Sequence, residues 1–299
     1  MRYVLNRGNI LFAAALAVAA LLPSQRKLDA VWPYIVVLFL IEAAFLFAYL
    51  RKGKKSTLDI ATAAFGFLLL WDVLSRLGMA HPVLAPPPEN VFYVFVSQWE
   101  DMVAGIFSSL RLLVLGVGLA MIAGVFLGLA VGWIPRLREG ILPIANVISP
   151  IPPLVYTPYV VAVMPTFKAA SVFVIFCAVF WPTFQNMVGQ VAGMDRKIIQ
   201  AAQVMNVSTP TMLFRVILPY CKPGILASLT GTIRAALLCL TGAELLGASS
   251  GLGYFVKKYS DYADYTKVIA GIILMGIVVT ALVAGIRLLQ RKLVKWENI

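Results

Sequence analysis

The chain has 299 residues, of which 61% are hydrophobic and 13% charged, and a mean hydropathy of +0.89. That much apolar surface cannot be hidden in one water-soluble core, so a soluble globular protein is excluded and an integral membrane protein is left. The net charge of +12 would suggest nucleic acid in a soluble protein; in a membrane chain it sets topology, and no nucleic-acid partner is expected.

A helix needs about 20 mostly apolar residues to cross roughly 30 Å of hydrocarbon. Eight windows qualify, near 9–24, 31–50, 58–79, 107–132, 141–164, 169–189, 223–246 and 267–289. The first is short, follows Arg2 and Arg7, and leads into "PSQRKLD" rather than a cleavage site, so it reads as a signal anchor. Glu42, in the second, has no basic partner in its own helix. Asp72 and Arg76, in the third, are i,i+4 neighbours and read as a local ion pair. His81, the single histidine, sits in the loop before Pro82 and reads as structural. The fourth window carries Gly116, Gly118, Gly124, Gly128 and Gly132, small residues that let another helix approach closely. Pro150, Pro152, Pro153 and Pro158 break the fifth, freeing carbonyls that must face protein or a water-filled path. A helix of that kind suits a pathway wall, or a kinked helix that only packs.

Between the sixth and seventh windows, 195–222 is polar and helix-prone. "DRKIIQAAQVMN" has Ile198, Ile199, Ala202 and Met205 at helical spacing; "STPTMLFRVILP" opens on start signals and is expected to end at Pro219. The pair reads as an elbow whose second limb presents Met212, Leu213, Val216 and Ile217 as an exposed apolar ridge for a groove, or else as an amphipathic helix lying on the bilayer. In the seventh window Arg234 lies about 16 Å into its span, where a cation needs a partner. It can anchor to helix carbonyls or Glu244, or help an anion through. Glu244 precedes the flexible "GASSGLG".

With the N-terminus inside, the inner loops and ends collect most of the basic residues: Arg2, Arg7, "RKGKK" (51–55), Arg136, Arg138, Arg196, Lys197, Arg215, Lys222 and "RLLQRKLVK" (287–295). The positive-inside rule then puts both termini in the cytoplasm, with Arg26 and Lys27 as exceptions in the first outer loop. Cys177, Cys221 and Cys239 have no paired spacing, so neither a disulfide nor a metal site is expected. The phosphate-cradling G-x-x-x-x-G-K-[ST] loop, zinc helices and a His-based triad are all absent from the sequence.

Gln200-Ala201-Ala202, three residues, Asn206, nine residues, then Val216, Ile217, Leu218 and Pro219 resembles, in register, the cytoplasmic E-A-A-x3-G-x9-I-x-L-P signature of the membrane subunits of binding-protein-dependent ABC importers. Gln200 replaces the acid, putting any salt bridge to an ATPase in doubt. Asn206 replaces the glycine, and asparagine tolerates a left-handed turn. Further elements resemble the nitrate, sulfonate, taurine and bicarbonate branch in the same order: "FLLLWDVLSRLG" (67–78) with "HPVLAPPPENV" (81–91), "SSLRLLVLGVGLAMIAGVFLGLAVGW" (108–133), "ISPIPPLVYTPYVVAVM" (148–164), "LPYCKPGILASLTGTIRAALL" (218–238) and "GAELLGASSGLGYFV" (242–256).

The resemblance covers about residues 65 to 290. It implies an all-α, polytopic protein of type I ABC importer permease fold, with a six-helix core in 56–299 and two extra N-terminal transmembrane helices in 1–55. It implies a permease subunit of the bacterial cytoplasmic membrane, with a second permease copy or homologue, two ABC ATPase subunits and an extracytoplasmic solute-binding protein as partners, beside the membrane lipid. ATP and Mg would sit on the ATPase, and this chain would be no enzyme. Gln200, Ala201, Ala202, Asn206, Met212, Leu213, Val216 and Pro219 are then the expected coupling residues, and Pro152, Pro153, Arg234, Glu244, Gly251 and Gly253 the expected pathway residues. The solute is expected to be a small organic or inorganic anion, with a thiamine precursor or riboflavin-like heterocycle as the alternative. A stand-alone secondary carrier or channel is the rival reading, and leaves the elbow unexplained.

Overall fold

The computed structural model describes residues 6–52, 55–79, 81 and 83–293. Arg2, Lys54 and Lys295, among the basic residues assigned to the inner face, lie outside the described residues. Every element described is helical, and the chain divides into two compact units, residues 1–103 with 255–274 and residues 104–254 with 275–299.

The first unit is built on α1 (Arg7–Leu21), α2 (Trp32–Lys52), α3 (Lys55–Arg76) and α4 (Pro88–Ser97). Asn6 caps α1, its side chain accepting from Asn9 N at 2.9 Å. Gly8 lies beside Ala61, and Arg76 donates to the Leu22 carbonyl and, at 3.0 Å, to the Ala19 carbonyl, so α1 runs parallel to α3. Tyr34, Leu38, Phe45, Phe65 and Leu68 fill the core around Ala15 and Ala19. The expected Asp72–Arg76 pair forms, Nε to Oδ1 at 2.6 Å, but it is buried and Glu89 of α4 joins it on Nη2. The guanidinium therefore bridges one oxygen of each of two carboxylates and the open carbonyls at the end of α1, while Asp72 Oδ2 and Glu89 Oε2 have no partner among the described residues. Glu89 lies outside the spans, and burial, then the neighbouring Asp72 carboxylate, push its pKa up. Glu42 is buried in α2, with one carboxylate oxygen unpartnered among the described residues. His81 is structural, its Nδ1 accepting from Val83 N and Leu84 N at 3.3 and 3.2 Å.

In the second unit α5 (Trp99–Trp133, of which residues from 104 belong here) packs on α8 (Phe167–Ala192). The fourth-window glycines explain how. A Cβ on Gly116 would lie 2.6 Å from Ile175, on Gly124 3.0 Å from Thr183, on Gly128 2.7 Å from Met187 and on Gly132 2.8 Å from Val191. Each glycine removes the side chain that would hold the helices apart, and only Gly118, with nothing nearby, takes no part. The pairs keep one constant register along both helices, so α5 and α8 are parallel. The helical run Thr209–Gly247 is antiparallel to α8, with Asn186 bonding the Gly224 carbonyl at 3.4 Å towards one end and Cys239 packed with Val174 towards the other.

Helix lengths correct the expectation for the N-terminal extension. Among the described residues six helices are long and apolar enough to cross a membrane: Trp32–Arg51, Lys55–Arg76, Trp99–Trp133, Phe167–Ala192, Thr209–Gly247 and Tyr265–Gln290. Of the two extra N-terminal transmembrane helices expected in 1–55, Trp32–Arg51 is long enough to span by itself, whereas α1 is a single short extra helix beside α3 whose 15 residues rise about 22 Å. The window at 141–164 is broken, as its prolines lead one to expect: α6 (Pro135–Ile148) and α7 (Pro153–Val163) meet at 91°. Pro150, Pro152 and Pro153 cluster at the bend, where Pro152 is extended at φ −62 and ψ 127, whereas Pro158 stays inside α7. Together α6 and α7 cross. Asn146 bonds Gln185 near the end of α8 at 2.9 Å, and Val160 packs on Ala170 and Val174 near its start. The chain must make that return for α5 and α8 to be parallel.

Candidate functional site

The elbow begins where α8 stops at Gly193. Asp195 caps α9 (Arg196–Val204), accepting from Lys197 N at 2.9 Å. At the other end Asn206 takes a left-handed φ of 55. Asn206 N then bonds Gln203 O at 2.9 Å and Val207 N bonds Ala202 O at 3.2 Å, the paired bonds of a Schellman turn. Asparagine at the glycine position therefore keeps the turn.

The second limb differs from expectation in two ways. It does not end at Pro219: Thr209–Thr211 (α10) leads through a π-helical segment, Met212–Ile217, into α11 (Leu218–Gly247). Leu218 N reaches back to Leu213 O across the widened turn. The wider turn leaves room for the ring of Pro219, which has no N–H to donate, past the preceding carbonyls. Nor is the apolar ridge exposed. Met212 is 2% and Ile217 0% exposed, packed with Leu129, Met187, Val191 and Met194, and Leu213 and Val216 lie half-buried against them. Helical spacing identifies an apolar face without saying whether its partner lies in the same chain, and here it does. The face left open carries Gln200, Ala201, Gln203 and Asn206, with Val204 at 88% and Met205 at 78% exposed, and Arg196, Lys197 and Arg215 around it.

Towards the other end of α11, Glu244 is buried. Ser109 Oγ donates to its Oε1 at 2.6 Å, and Gly253 N donates to Oε2 at 2.6 Å. Leu252 N donates in turn to Ser109 Oγ at 2.9 Å. One carboxylate thus ties α5, the end of α11 and the start of α12 (Leu252–Asp261) into a clasp. Gly251 has φ 127, and a Cβ there would lie 2.3 Å from Glu244 Oε1; one on Gly253 would lie 2.8 Å from Glu244 Cβ. The structure brings Glu244, Gly251 and Gly253 together, and adds Ser109. Their spacing alone could not reveal Ser109, which is far away in sequence.

Arg234 stands apart from the clasp. Its neighbours Ile233, Ala236 and Leu237 face the core at the level of Ile175 and Val179, midway along α8, while Arg234 lies on the exposed face of α11. It forms no ion pair or hydrogen bond among the described residues, so the anchor to Glu244 or to helix carbonyls is absent. Pro152 is exposed and Pro153 half-buried at the α6–α7 bend. There Leu154 of α7 packs so closely on α11 that a Cβ on Gly242 would lie 2.1 Å from it.

Residues 116–296 match the family described as binding-protein-dependent transport system inner membrane component. The chain is 30% identical to the taurine transport system permease protein TauC of Escherichia coli, over 82% of this chain and 92% of that protein. It is 27% identical to the bicarbonate transport system permease protein CmpB of Synechocystis, over 81% and 90% of the two chains. With the nitrate import permease protein NrtB of Leptolyngbya laminosa it shares 26% identity over 79% and 87%. The six long apolar helices fit the type I permease fold that the resemblance implies. The chain therefore belongs to the family of binding-protein-dependent transport system inner membrane components, and is a multi-pass permease subunit of an ABC importer for a small solute.

Proposed function

We propose that the solute is a small oxyanion and that Arg234 meets it on the way through. The observation that carries this is an unpartnered guanidinium halfway along a spanning helix. Lipid does not tolerate such a charge, so its face of α11 borders water or another protein surface. Taurine, bicarbonate and nitrate, named in the relatives' titles, all bear an oxyanion that a guanidinium fork recognises. Pro152 and Pro153 contribute the bend beside α11 from which carbonyls can face the path. Glu244, Gly251 and Gly253, being enclosed, shape its outer end without touching solute. Uptake of labelled taurine, nitrate and bicarbonate by cells with Arg234→Gln tests the reading. Loss of at least about ten-fold, with Arg234→Lys retaining part, is expected; unchanged uptake by Arg234→Gln contradicts it.

The elbow of each permease copy is the docking element for one of two ATPase subunits, which carry ATP and Mg, and residues 56–299 form the permease domain. Gln200, Ala201, Ala202 and Asn206 hold α9 and its turn in shape. Val204 and Met205 supply the apolar contact, while Met212, Leu213, Val216 and Pro219 couple from beneath by fixing the limb to the bundle. Because the limb continues without a break into α11, movement of the elbow is carried directly to Arg234 and Glu244. Unequal binding of ATP to the two positions drives the switch. A second permease copy completes the path and an extracytoplasmic solute-binding protein feeds it. The chain lies in a bacterial cytoplasmic membrane with both termini inside. The basic inner loops support that orientation, and Gln290 of α13 (Tyr265–Leu293) bonds Leu226 and Thr230 at the elbow end of α11.

A further inference from the structure

We propose that the second unit carries, at the end opposite the elbow, a binding site for an oxyanion head borne on an apolar chain. A recess of about 500 Å³ opens there, lined by Phe107, Ser108, Arg111, Leu115, Lys168 and Val172 among others. Two cations reach it from different helices, Arg111 from α5 and Lys168 from the first turn of α8. Neither has an ion-pair or hydrogen-bond partner among the described residues. Two unneutralised cations on one recess repel each other, and an anion between them turns that repulsion into attraction. Ser108 adds a hydroxyl, already linked to Ser250 Oγ at 2.8 Å. The first-turn amide of Ala169 is taken by Thr166 Oγ1 at 3.2 Å, so the side chains, and not an open helix end, supply the attraction.

The rest of the lining is apolar, and it does not stop at the recess. Leu115, Leu119 and Ile122 are 47%, 54% and 60% exposed at helical spacing along α5, leading from the cations towards the middle of the helix. A bare inorganic anion would leave that stripe unused. A phosphate diester or sulfonate with a carbon tail uses both halves, its head on Arg111 and Lys168 and its tail along the leucines. Two sources offer this chemistry, the headgroup of an anionic phospholipid and an aliphatic sulfonate solute. The site itself stands whether or not Arg234 meets a transported anion.

Titration calorimetry on the full-length protein in a neutral detergent tests it, with dihexanoylphosphatidylglycerol and hexanesulfonate as probes and dihexanoylphosphatidylcholine as control. Saturable binding of at least one anionic probe is expected, weakened about ten-fold or more in Arg111→Gln/Lys168→Gln and kept in Arg111→Lys/Lys168→Arg. Binding of the phosphatidylglycerol alone assigns the site to lipid, and binding of the sulfonate alone assigns it to a solute. If both bind, competition between them shows one site open to either. Lys168 is exposed, so Lys168→Gln alone keeps the fold and must still weaken binding. Failure of both probes to bind, equal binding by the double glutamine variant, or equal binding of the phosphatidylcholine overturns the proposal.

Discussion

At the level of single residues, two buried polar clusters tie separate helices together. In the first unit Arg76 is held between Asp72, Glu89 and the last carbonyls of α1. Removing it strands two carboxylates away from water. Arg76→Met is therefore expected to lower stability by about 3–5 kcal/mol, read as thermal unfolding in detergent. Adding Asp72→Leu and Glu89→Leu should recover much of that loss; a single variant as stable as wild type contradicts the arrangement. In the second unit the Glu244 carboxylate of α11 accepts from Ser109 of α5 and Gly253 of α12 at once. Gly251→Ala combines a left-handed φ with a Cβ 2.3 Å from Glu244 Oε1, so it is expected to disrupt the clasp more than Gly118→Ala, which meets open space. Limited proteolysis at the turn 248–251 would read the difference, and equal protection of the two variants would count against the clasp.

At the scale of elements, the elbow shows what sequence pattern carries and what it leaves out. The two limbs, the turn at Asn206 and the start signals at 208–210 were legible because each depends on local backbone chemistry. The partner of the apolar face was not. Met212 and Ile217 repeat with helical spacing whether they face an ATPase groove or Met187 and Val191 of their own chain. Pro219 read as a stop because proline ends helices, but the widened π turn ahead of it lets the helix continue past the ring. Ser109, too, escaped notice, since nothing near it in sequence marks a partner of Glu244. The distinction has a direct test. Met212→Asp puts an unpaired charge in a core and is expected to lower the thermal midpoint; Met205→Asp, on an exposed side chain, should leave it unchanged while weakening ATPase association. The reverse pattern would restore the ridge as the docking face.

At the scale of the whole molecule, composition and window hydropathy were enough for a polytopic helical membrane protein, since burial of backbone polar groups in lipid leaves helices as the economical solution. The path of the chain needed three-dimensional contacts. The constant register of glycines on α5 against α8 makes those helices parallel, so the bent pair α6–α7 must carry the chain across. Cysteines introduced at Glu139 and Thr166 should then react with an impermeant thiol reagent from opposite sides of the membrane; labelling from one side would make the pair a re-entrant loop.

On the proposed function, ATP drives this permease through its elbow. The most direct measurement is solute-stimulated ATP hydrolysis by the assembled importer in vesicles, comparing wild type with Val204→Asp/Met205→Asp at equal amounts of folded permease. Strong loss of stimulated hydrolysis and uptake together, with the ATPase released from the variant, is the predicted result. Wild-type stimulation and uptake with both aspartates in place would contradict the account.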